Sequence, residues 1–497
     1  MVVMKFGGSS VQNAEAMERV ADLIRRRMRR RPVVVVSAFA GVTDRLLALG
    51  RVAASGQGEE ALAQVRSLQK HHHDMARNLL GEDRLYGCCL KLQPHFQELE
   101  QFVAGLVAIR ELSPRSTDYL VAFGELLSSH IITAALQARG LPACWVDSRE
   151  CIITDEQFTQ AVPDYAETYQ RIRARVRPLL IEGQLPVMAG FIAATREGAV
   201  STLGRRGSDL SAALIAAGVN AARIEIWSTV EGIMSADPAI CPQARCLRRV
   251  SFREAAEMAY FGAKVLHPAT LIPAMEKNIP VYVLNSRNPL NPGTQITARS
   301  PRGRSLFTAI AARQDVSIVT LSAPRESTPH LFLQEVFHVL HRHACVADLV
   351  TVSELSVSFA LPSSRKTTGL LANLRHIGAV SVEDKQAIVC LVGENIRGRA
   401  GIAARCFTAL AEADINVRLI SQGASEISLS FVIQESDTAE AVRRLHARFT
   451  VEKQSKRRRP AEMPVRPTDS TAVSSVVALT PPAGLAHKRA QATCPAP

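Results

Sequence analysis

Residues 1–10 read MVVMKFGGSS. Val2 to Phe6 is a short apolar run interrupted once, by Lys5, and has the length and side chains of a buried strand. Gly7 and Gly8 break it, and the chain from Asn13 onward reads as helix. A strand that stops at a glycine pair and feeds a helix turns backbone N–H groups outward, a geometry that binds phosphate. Lys5, at the mouth of the same turn, adds a point charge for transferred phosphoryl oxygens. A Gly-Gly step alone is no more than a turn. The spacing is neither Walker A nor GxGxxG, which excludes the two commonest phosphate loops.

Outward from this stretch, Met17, Val20, Leu23, Ile24 and Met28 recur at helical spacing, with arginines on the other face. Val33 to Val36 is wholly apolar, as in sheets covered on both sides. It leads into Ser37-Ala-Phe-Ala-Gly-Val-Thr43-Asp44, again strand, small-residue loop, helix. Two such units imply an open α/β sheet whose ligands gather at the carboxyl ends of the strands.

Residues 45 to about 140 read as mostly helical. His71-His72-His73 falls here; consecutive histidines on a helix diverge, so a polar helix face is expected rather than a metal site. Asp118 to His130 is amphipathic yet sets Gly124 and Glu125 among apolar neighbours. A carboxylate in such a place needs a partner, and an ammonium group would serve. Strands are expected at Ala143 to Val146 and Val187 to Ile192. Then Ser201-Thr-Leu-Gly-Arg205-Arg206-Gly-Ser208-Asp209 combines a glycine- and hydroxyl-bearing turn, two arginines and an aspartate entering an apolar helix. Arginines in a turn suit bidentate carboxylate recognition, and Asp209 can orient Lys5 or the metal of a nucleotide. Arg223 to Trp227 is a strand ending at Ser228-Thr229, Phe252 to Ala259 a helix, and Ile279 to Leu284 the strand that closes the first domain near Gly293.

Past about Thr308 the pattern changes. Residues 315–383 and 385–451 look like two copies of one βαββαβ unit, with Asp348 and Arg418 in equivalent signatures. The stretch 452–497, opening with a basic run and rich in Pro, Ala, Ser and Thr, reads as a disordered tail.

The net charge of +13 raises the question of nucleic acid. The basic residues lie on amphipathic helices such as Arg25 to Arg31, without interleaved aromatics, which is the pattern of a solvated face. Neither nucleic acid nor a membrane is an expected partner. Ten scattered cysteines without a CxxC pair suit free thiols in a reducing cytoplasm.

Together these stretches resemble the aspartate kinases, enzymes of the amino-acid-kinase fold that open lysine, threonine and methionine biosynthesis. The resemblance rests on KFGGSS at 5–10, SAFAGVTD at 37–44, FGE at 123–125, TLGRRGSD at 202–209 and EAAEMAYFGAKVLHP at 254–268, in order, followed by the pair of ACT-type units. It spans about residues 1 to 450. It implies an α/β fold: an open, mostly parallel sheet sandwiched by helices in residues 1–300, then ferredoxin-like ACT domains at 315–383 and 385–451.

The implied reaction is ATP-dependent phosphorylation of the L-aspartate side-chain carboxylate, with Mg²⁺ accompanying the nucleotide. By the same resemblance Lys5 stabilises the transferring group and Asp209 organises Lys5. Ser37, Thr43, Glu125, Arg205 and Ser208 hold aspartate, Glu125 by its ammonium and Arg205 by a carboxylate. Lys5, Phe6, Gly7, Gly8, Ser228, Thr229 and Lys264 contact ATP. Phe332, Leu333, Ala347, Asp348, Ser353 and Glu354 receive an effector amino acid, lysine first and threonine second. A homodimer or homotetramer is expected. Three departures stand out: Arg206 where many relatives carry glycine, Thr229 where an aspartate is usual, and Met234 and Ala239 for a nearby tyrosine and basic residue. They motivate a second reading, a non-catalytic amino-acid sensor on a degenerate kinase domain.

Overall fold

The computed structural model describes residues 1–204, 206–262, 268–299, 307–324, 328–394, 396, 399–422 and 427–455. In β1 (Val2–Phe6), Val2, Val3, Met4 and Phe6 are buried, as a strand covered on both faces requires. The helix expected from Asn13 onward is present, with Asn13 as its N-cap. A 3₁₀ turn, Gly8–Ser10, precedes it, and α1 (Ala14–Arg25) starts where the Asn13 side chain accepts the Ala16 N–H at 2.8 Å. Met28, expected on that helix, lies in a further 3₁₀ turn.

After β2 (Pro32–Val36) comes the expected helical run, α2 (Val42–Ala54), α3 (Gly58–Leu80), α4 (Glu82–Ile109) and α5 (Pro114–Ala138). His72 corrects the reading of its triplet as a polar face. It is fully buried between Phe39 and Phe96, its Nδ1 meets the Leu68 carbonyl at 2.8 Å, and burial lowers its pKa to about 4. Among the described residues no cluster of His, Cys, Asp or Glu could hold a metal. By length and composition α5 could cross a membrane, but 83% of its apolar window is buried inside the protein.

The chain continues through β3 (Ala143–Val146), β4 (Ile153–Thr154), α6 (Tyr165–Ile181), β5 (Leu185–Ala189), β6 (Ile192–Thr195), β7 (Val200–Thr202) and α7 (Gly207–Val219). The single strand expected at 187–192 is two, because Phe191 takes a left-handed φ of 68° and turns the chain out of the main sheet. All 13 residues of α7 are buried, and beyond Ser211 it is the apolar helix that its sequence suggested. Its N-cap, Arg206, has φ 59°, a left-handed conformation that glycine adopts without strain.

Next are β8 (Arg223–Ser228), β9 (Arg249–Ser251), α8 (Phe252–Tyr260), α9 (Pro268–Glu276), β10 (Val281–Asn285) and β11 (Thr294–Thr297). The main sheet runs β3-β5-β2-β1-β8-β10-β11-β9. From β3 to β10 every pairing is parallel, and β11 turns antiparallel to β10. Strands β2, β5 and β3 lie on one side of β1 and β8 and β10 on the other. That makes β1 the topological switch point, where ligands of open α/β sheets bind. Arg27, expected on a solvated face, instead pairs with the buried Glu225 at 3.1 Å and lies over the Trp227 ring.

The remainder is β12 (Ala309–Ser322), α10 (Pro329–Arg342), β13 (Leu349–Val352), β14 (Ser356–Pro362), α11 (Thr368–Arg375), β15 (Ala379–Val392), α12 (Ile402–Ala411), β16 (Val417–Ser421), β17 (Ser428–Gln434) and α13 (Thr438–Ser455). These strands form one sheet, β13-β14-β12-β15-β17-β16. The expected boundaries at 315 and 385 are not gaps between units. Asp315 and Lys385 mark bends with left-handed φ inside β12 and β15, and both strands continue across. Ala309 to Arg313 pair with Ile388 to Val392, so the second unit takes one strand from residues that precede the first. Residues 423–426 of the second signature and the tail from 456 lie outside the described residues.

Candidate active site

Four strand ends meet at the switch point. The Ser37 N–H donates to the Phe6 carbonyl (3.2 Å), the Gly190 N–H to Val36 (2.8 Å) and the Gly7 N–H to Trp227 (3.4 Å), so the loops after β5, β2, β1 and β8 stand side by side. Gly8 is there because nothing else fits: a Cβ would lie 2.3 Å from the Ala38 carbonyl oxygen. At Gly7 a Cβ would meet nothing within 4 Å, so the backbone is open to a ligand from above.

Lys5 points into this row, its Nζ 2.7 Å from Asp209 Oδ1. Asp209 occupies the first turn of α7, where the helix dipole favours a negative charge. The α7 N-terminus can come this close because Gly190 lacks a side chain: a Cβ there would be 2.4 Å from Ser208 Cβ. Ser208 Oγ in turn lies 2.9 Å from Ser37 Oγ. Thr43, half-buried, is the second residue of α2.

Glu125, in the middle of α5, is 4% exposed. It takes the Ala38 N–H, but its Oε2 has no partner. Burial raises its pKa to about 8, opposed by that N–H and by the charge of Lys5. A buried, half-satisfied carboxyl beside a lysine is poised for one more cation. Gly124 lets α5 lie against the Ser37–Asp44 loop, with Ala38 Cβ 3.1 Å from where its own Cβ would be. Ser128 ties the two together, donating to the carbonyls of Ser37 (2.9 Å) and Glu125 (3.1 Å).

Asp118 is a site residue that the sequence named without a role. It is fully buried and accepts three hydrogen bonds, from Thr159 N–H (2.8 Å), Thr202 N–H (2.9 Å) and Thr202 Oγ–H (2.6 Å). Two helical turns before Glu125, it fastens the start of the 202–209 turn to the helix that carries Glu125. The seven-residue spacing was the available signal.

Of the residues expected to contact the nucleotide, Ser228 ends β8, where its carbonyl accepts the Ser286 N–H at 2.8 Å, and Thr229 is exposed. Two residues on, Glu231 is held by the amides of Asn285, Asn288 and Asn291, which keep its carboxyl below the usual range. Arg205 and Lys264 lie outside the described residues.

The residues expected to bind an effector are less close together. Phe332 is buried in the core under α10, and Leu333 and Ala347 pack against that core. Asp348 precedes β13 while Ser353 and Glu354 follow it, exposed. A strand of that length separates them by ~16 Å, more than one amino acid spans. Asp348 is already paired, with Arg313 at 2.8 Å.

Residues 1–285 match the amino acid kinase family and residues 389–449 an ACT domain. The chain is 36% identical to lysine-sensitive aspartokinase 3 of Escherichia coli over 462 residues, covering 90% of this chain and 98% of the relative. It is also 36% identical to the chloroplastic aspartokinase 1 of Arabidopsis thaliana, covering 90% and 80%. The crystal structure of E. coli aspartokinase III with aspartate and ADP, described as the R-state, superimposes with a TM-score of 0.79 at 34% identity, covering 90% of this chain and 99% of that one. Its counterpart with lysine and aspartate, the T-state, gives 0.76 at 34% identity, with the same coverage.

Two outcomes follow for the amino-acid substrate. Only ionised Glu125 can fill the ammonium-binding role expected of it, and its pKa of about 8 leaves it mostly protonated at neutral pH. Hence kcat/KM for that substrate should climb roughly tenfold per pH unit below 8 and flatten above it. Glu125→Gln should abolish the climb, as initial rates across pH 6 to 9 would reveal (roughly that window). Asp118→Asn removes an acceptor from Thr202, and should raise KM for the amino acid on the order of tenfold while KM for the nucleotide stays within about twofold.

Proposed function

The chain belongs to the aspartokinase family, and on that premise we propose a division of labour among its residues in transferring the γ-phosphoryl group of ATP to the side-chain carboxylate of L-aspartate. The observation that carries it is the Lys5–Asp209 pair at the end of β1, facing the unpartnered Glu125 oxygen. A carboxylate oxygen of aspartate bonds to the γ-phosphorus, the bond from that phosphorus to the β–γ bridging oxygen breaks, and ADP leaves with the electron pair. The nucleophile has a reference pKa near ~3.9 and brings no proton, so no general base is required. The residues have to neutralise charge and align the reactants.

Lys5 draws charge from the transferring group, and Asp209 fixes the lysine's direction. Glu125 takes the substrate ammonium, with Ser37, Thr43 and Ser208 around the amino acid and Arg205 on a carboxylate. The open backbone at Gly7 and Gly8 lies under the phosphates, with Phe6, Ser228, Thr229 and Lys264 along the nucleotide. Mg²⁺ belongs to the nucleotide: Asp209 is engaged by Lys5 and no carboxylate cluster exists among the described residues, which suits an ion carried by phosphate oxygens. Bound there, it would neutralise charge on the β- and γ-phosphates.

Residues 1–300 form the catalytic part of this reading, and the units at 315–383 and 385–451 the regulatory part, with lysine as effector ahead of threonine. The ~16 Å between Asp348 and Ser353 and the exposed Val346, Val352 and Leu355 beside the outer strand β13 favour a homodimer or homotetramer. Free cysteines throughout the described residues suit the cytoplasm. The second reading, an amino-acid sensor without catalysis, draws on Thr229, an exposed hydroxyl where the family resemblance implies an aspartate.

Purified protein with ATP, Mg²⁺ and aspartate should release ADP only when aspartate is present, and lysine should suppress the release. Absence of turnover with effector binding retained in a thermal-shift assay would support the sensor instead.

A further inference from the structure

Tyr260, the last residue of α8, and Arg313 of β12 meet around Asp348. Arg313 Nη1 lies 2.8 Å from Asp348 Oδ2, its Nη2 donates to the Tyr260 carbonyl, and its guanidinium carbon is 5.3 Å from the centre of the Tyr260 ring. The Tyr260 hydroxyl donates to the same Asp348 carboxylate, whose charge helps to raise the phenol to about 12 after burial. The Asp348 side chain is only 6% exposed. Next to this cluster Gly262 presses on the same strand: a Cβ there would be 2.5 Å from the Ala312 carbonyl oxygen. The C-terminal end of α8 is thus held to the regulatory sheet by a carboxylate of that sheet.

At its other end α8 belongs to the catalytic domain. It follows β9 directly through a Ser251–Glu254 capping box, and β9 pairs with β11, which pairs with β10. Strand β10 lies beside β8, whose end carries Ser228. In sequence, Lys264 comes four residues after Tyr260.

With only 6% of its side chain exposed, the Asp348 carboxylate has no open approach for an ammonium group while Arg313 and Tyr260 both cover it, although its lone pairs are not all used. On the reading of Asp348 as an effector ligand, we propose that effector binding and the clamp on α8 are mutually exclusive uses of this one carboxylate, and that their exchange transmits inhibition to the nucleotide side. The effector-free protein keeps Asp348 on Arg313 and Tyr260, with α8 fixed. An effector amino group that takes Asp348 releases Tyr260 and the end of α8 with it. Both sites then bias one element with two arrangements, as coupling requires. Other ion pairs on the same sheet, such as Lys366 with Asp384 and Arg418 with Glu383, stay within it.

The test uses the full chain and lysine as probe, with titration calorimetry and ADP-release assays on wild type, Tyr260→Phe, Arg313→Lys and Asp348→Asn. Neither Tyr260 nor Arg313 touches substrate, but both variants loosen the clamp, so without lysine KM for ATP should rise about two- to fivefold while KM for aspartate stays within about twofold. Removing the phenol makes Asp348 easier to take, so Tyr260→Phe should bind lysine about three- to tenfold more tightly. At saturating lysine its residual activity should equal that of wild type, because both are then in the released arrangement. Arg313→Lys, which keeps the charge but loses the second contact to Tyr260, should shift lysine affinity and KM for ATP the same way. Unchanged lysine affinity, or lysine-free kinetics in both variants identical to wild type, would overturn the exchange. Failure of the premise has a separate signature: lysine binding that survives Asp348→Asn, or no lysine binding by wild type at all.

Discussion

One ion pair, Lys5 with Asp209 at 2.7 Å, dictates much of the catalytic domain. Its side chains are 13% and 4% exposed, so neither charge is well hydrated, and losing one partner would leave the other uncompensated at a cost of about 3–5 kcal/mol. To bring the two together, β1 must end where α7 begins although some 200 residues separate them. The close approach of α7 depends on glycine at 190, and its burial on every side fixes the direction from which Asp209 reaches Lys5. The loop after β2 then packs on Gly8, and α5 on that loop through Gly124, which brings Glu125 to the same place. The positive lysine also tempers the cost of ionising Glu125. An anionic substrate and an anionic nucleotide would therefore converge on a site with one strong cation, open backbone amides, and a carboxyl reserved for an ammonium.

Local pattern carried the parts of this that depend on neighbours in sequence. The apolar runs of β1 and β2, the glycine breaks after β1 and the apolar helix after Asp209 are visible one residue at a time, and so is the parallel sheet they imply. Glu125 was conspicuous as an acid among apolar residues. What stayed hidden depends on contacts across the fold. Asp118 looks like an ordinary helix-start acid until Thr159 and Thr202 are placed beside it. His72 belongs to a polar triplet in sequence but to an aromatic core in space. The strand at 187–192 divides because one backbone angle at Phe191 reverses, which no hydrophobic pattern records.

The regulatory half shows the same limit on a larger scale. Two repeats were legible, and the bends at Asp315 and Lys385 fall where the repeats divide. That β12 and β15 run through both halves is a matter of pairing, settled by contacts between residues some 70 apart. The consequence is a single sheet whose two halves cannot move independently at β12 and β15. One face of that sheet shares a hydrophobic core with α8 and α9, joining the regulatory strands to the catalytic domain by continuous packing. Asp348, Arg313 and Tyr260 sit at the rim of that shared core.

The most direct test of the central claim, that Lys5 and Asp209 act as one unit, is a double-mutant cycle in kcat with Lys5→Met, Asp209→Asn and the two combined. If Asp209 works by directing Lys5, each single change lowers kcat on the order of 10²–10³-fold and the double variant falls no more than about threefold below Lys5→Met alone. Losses that multiply in the double variant would show the two residues acting independently, and would contradict the account.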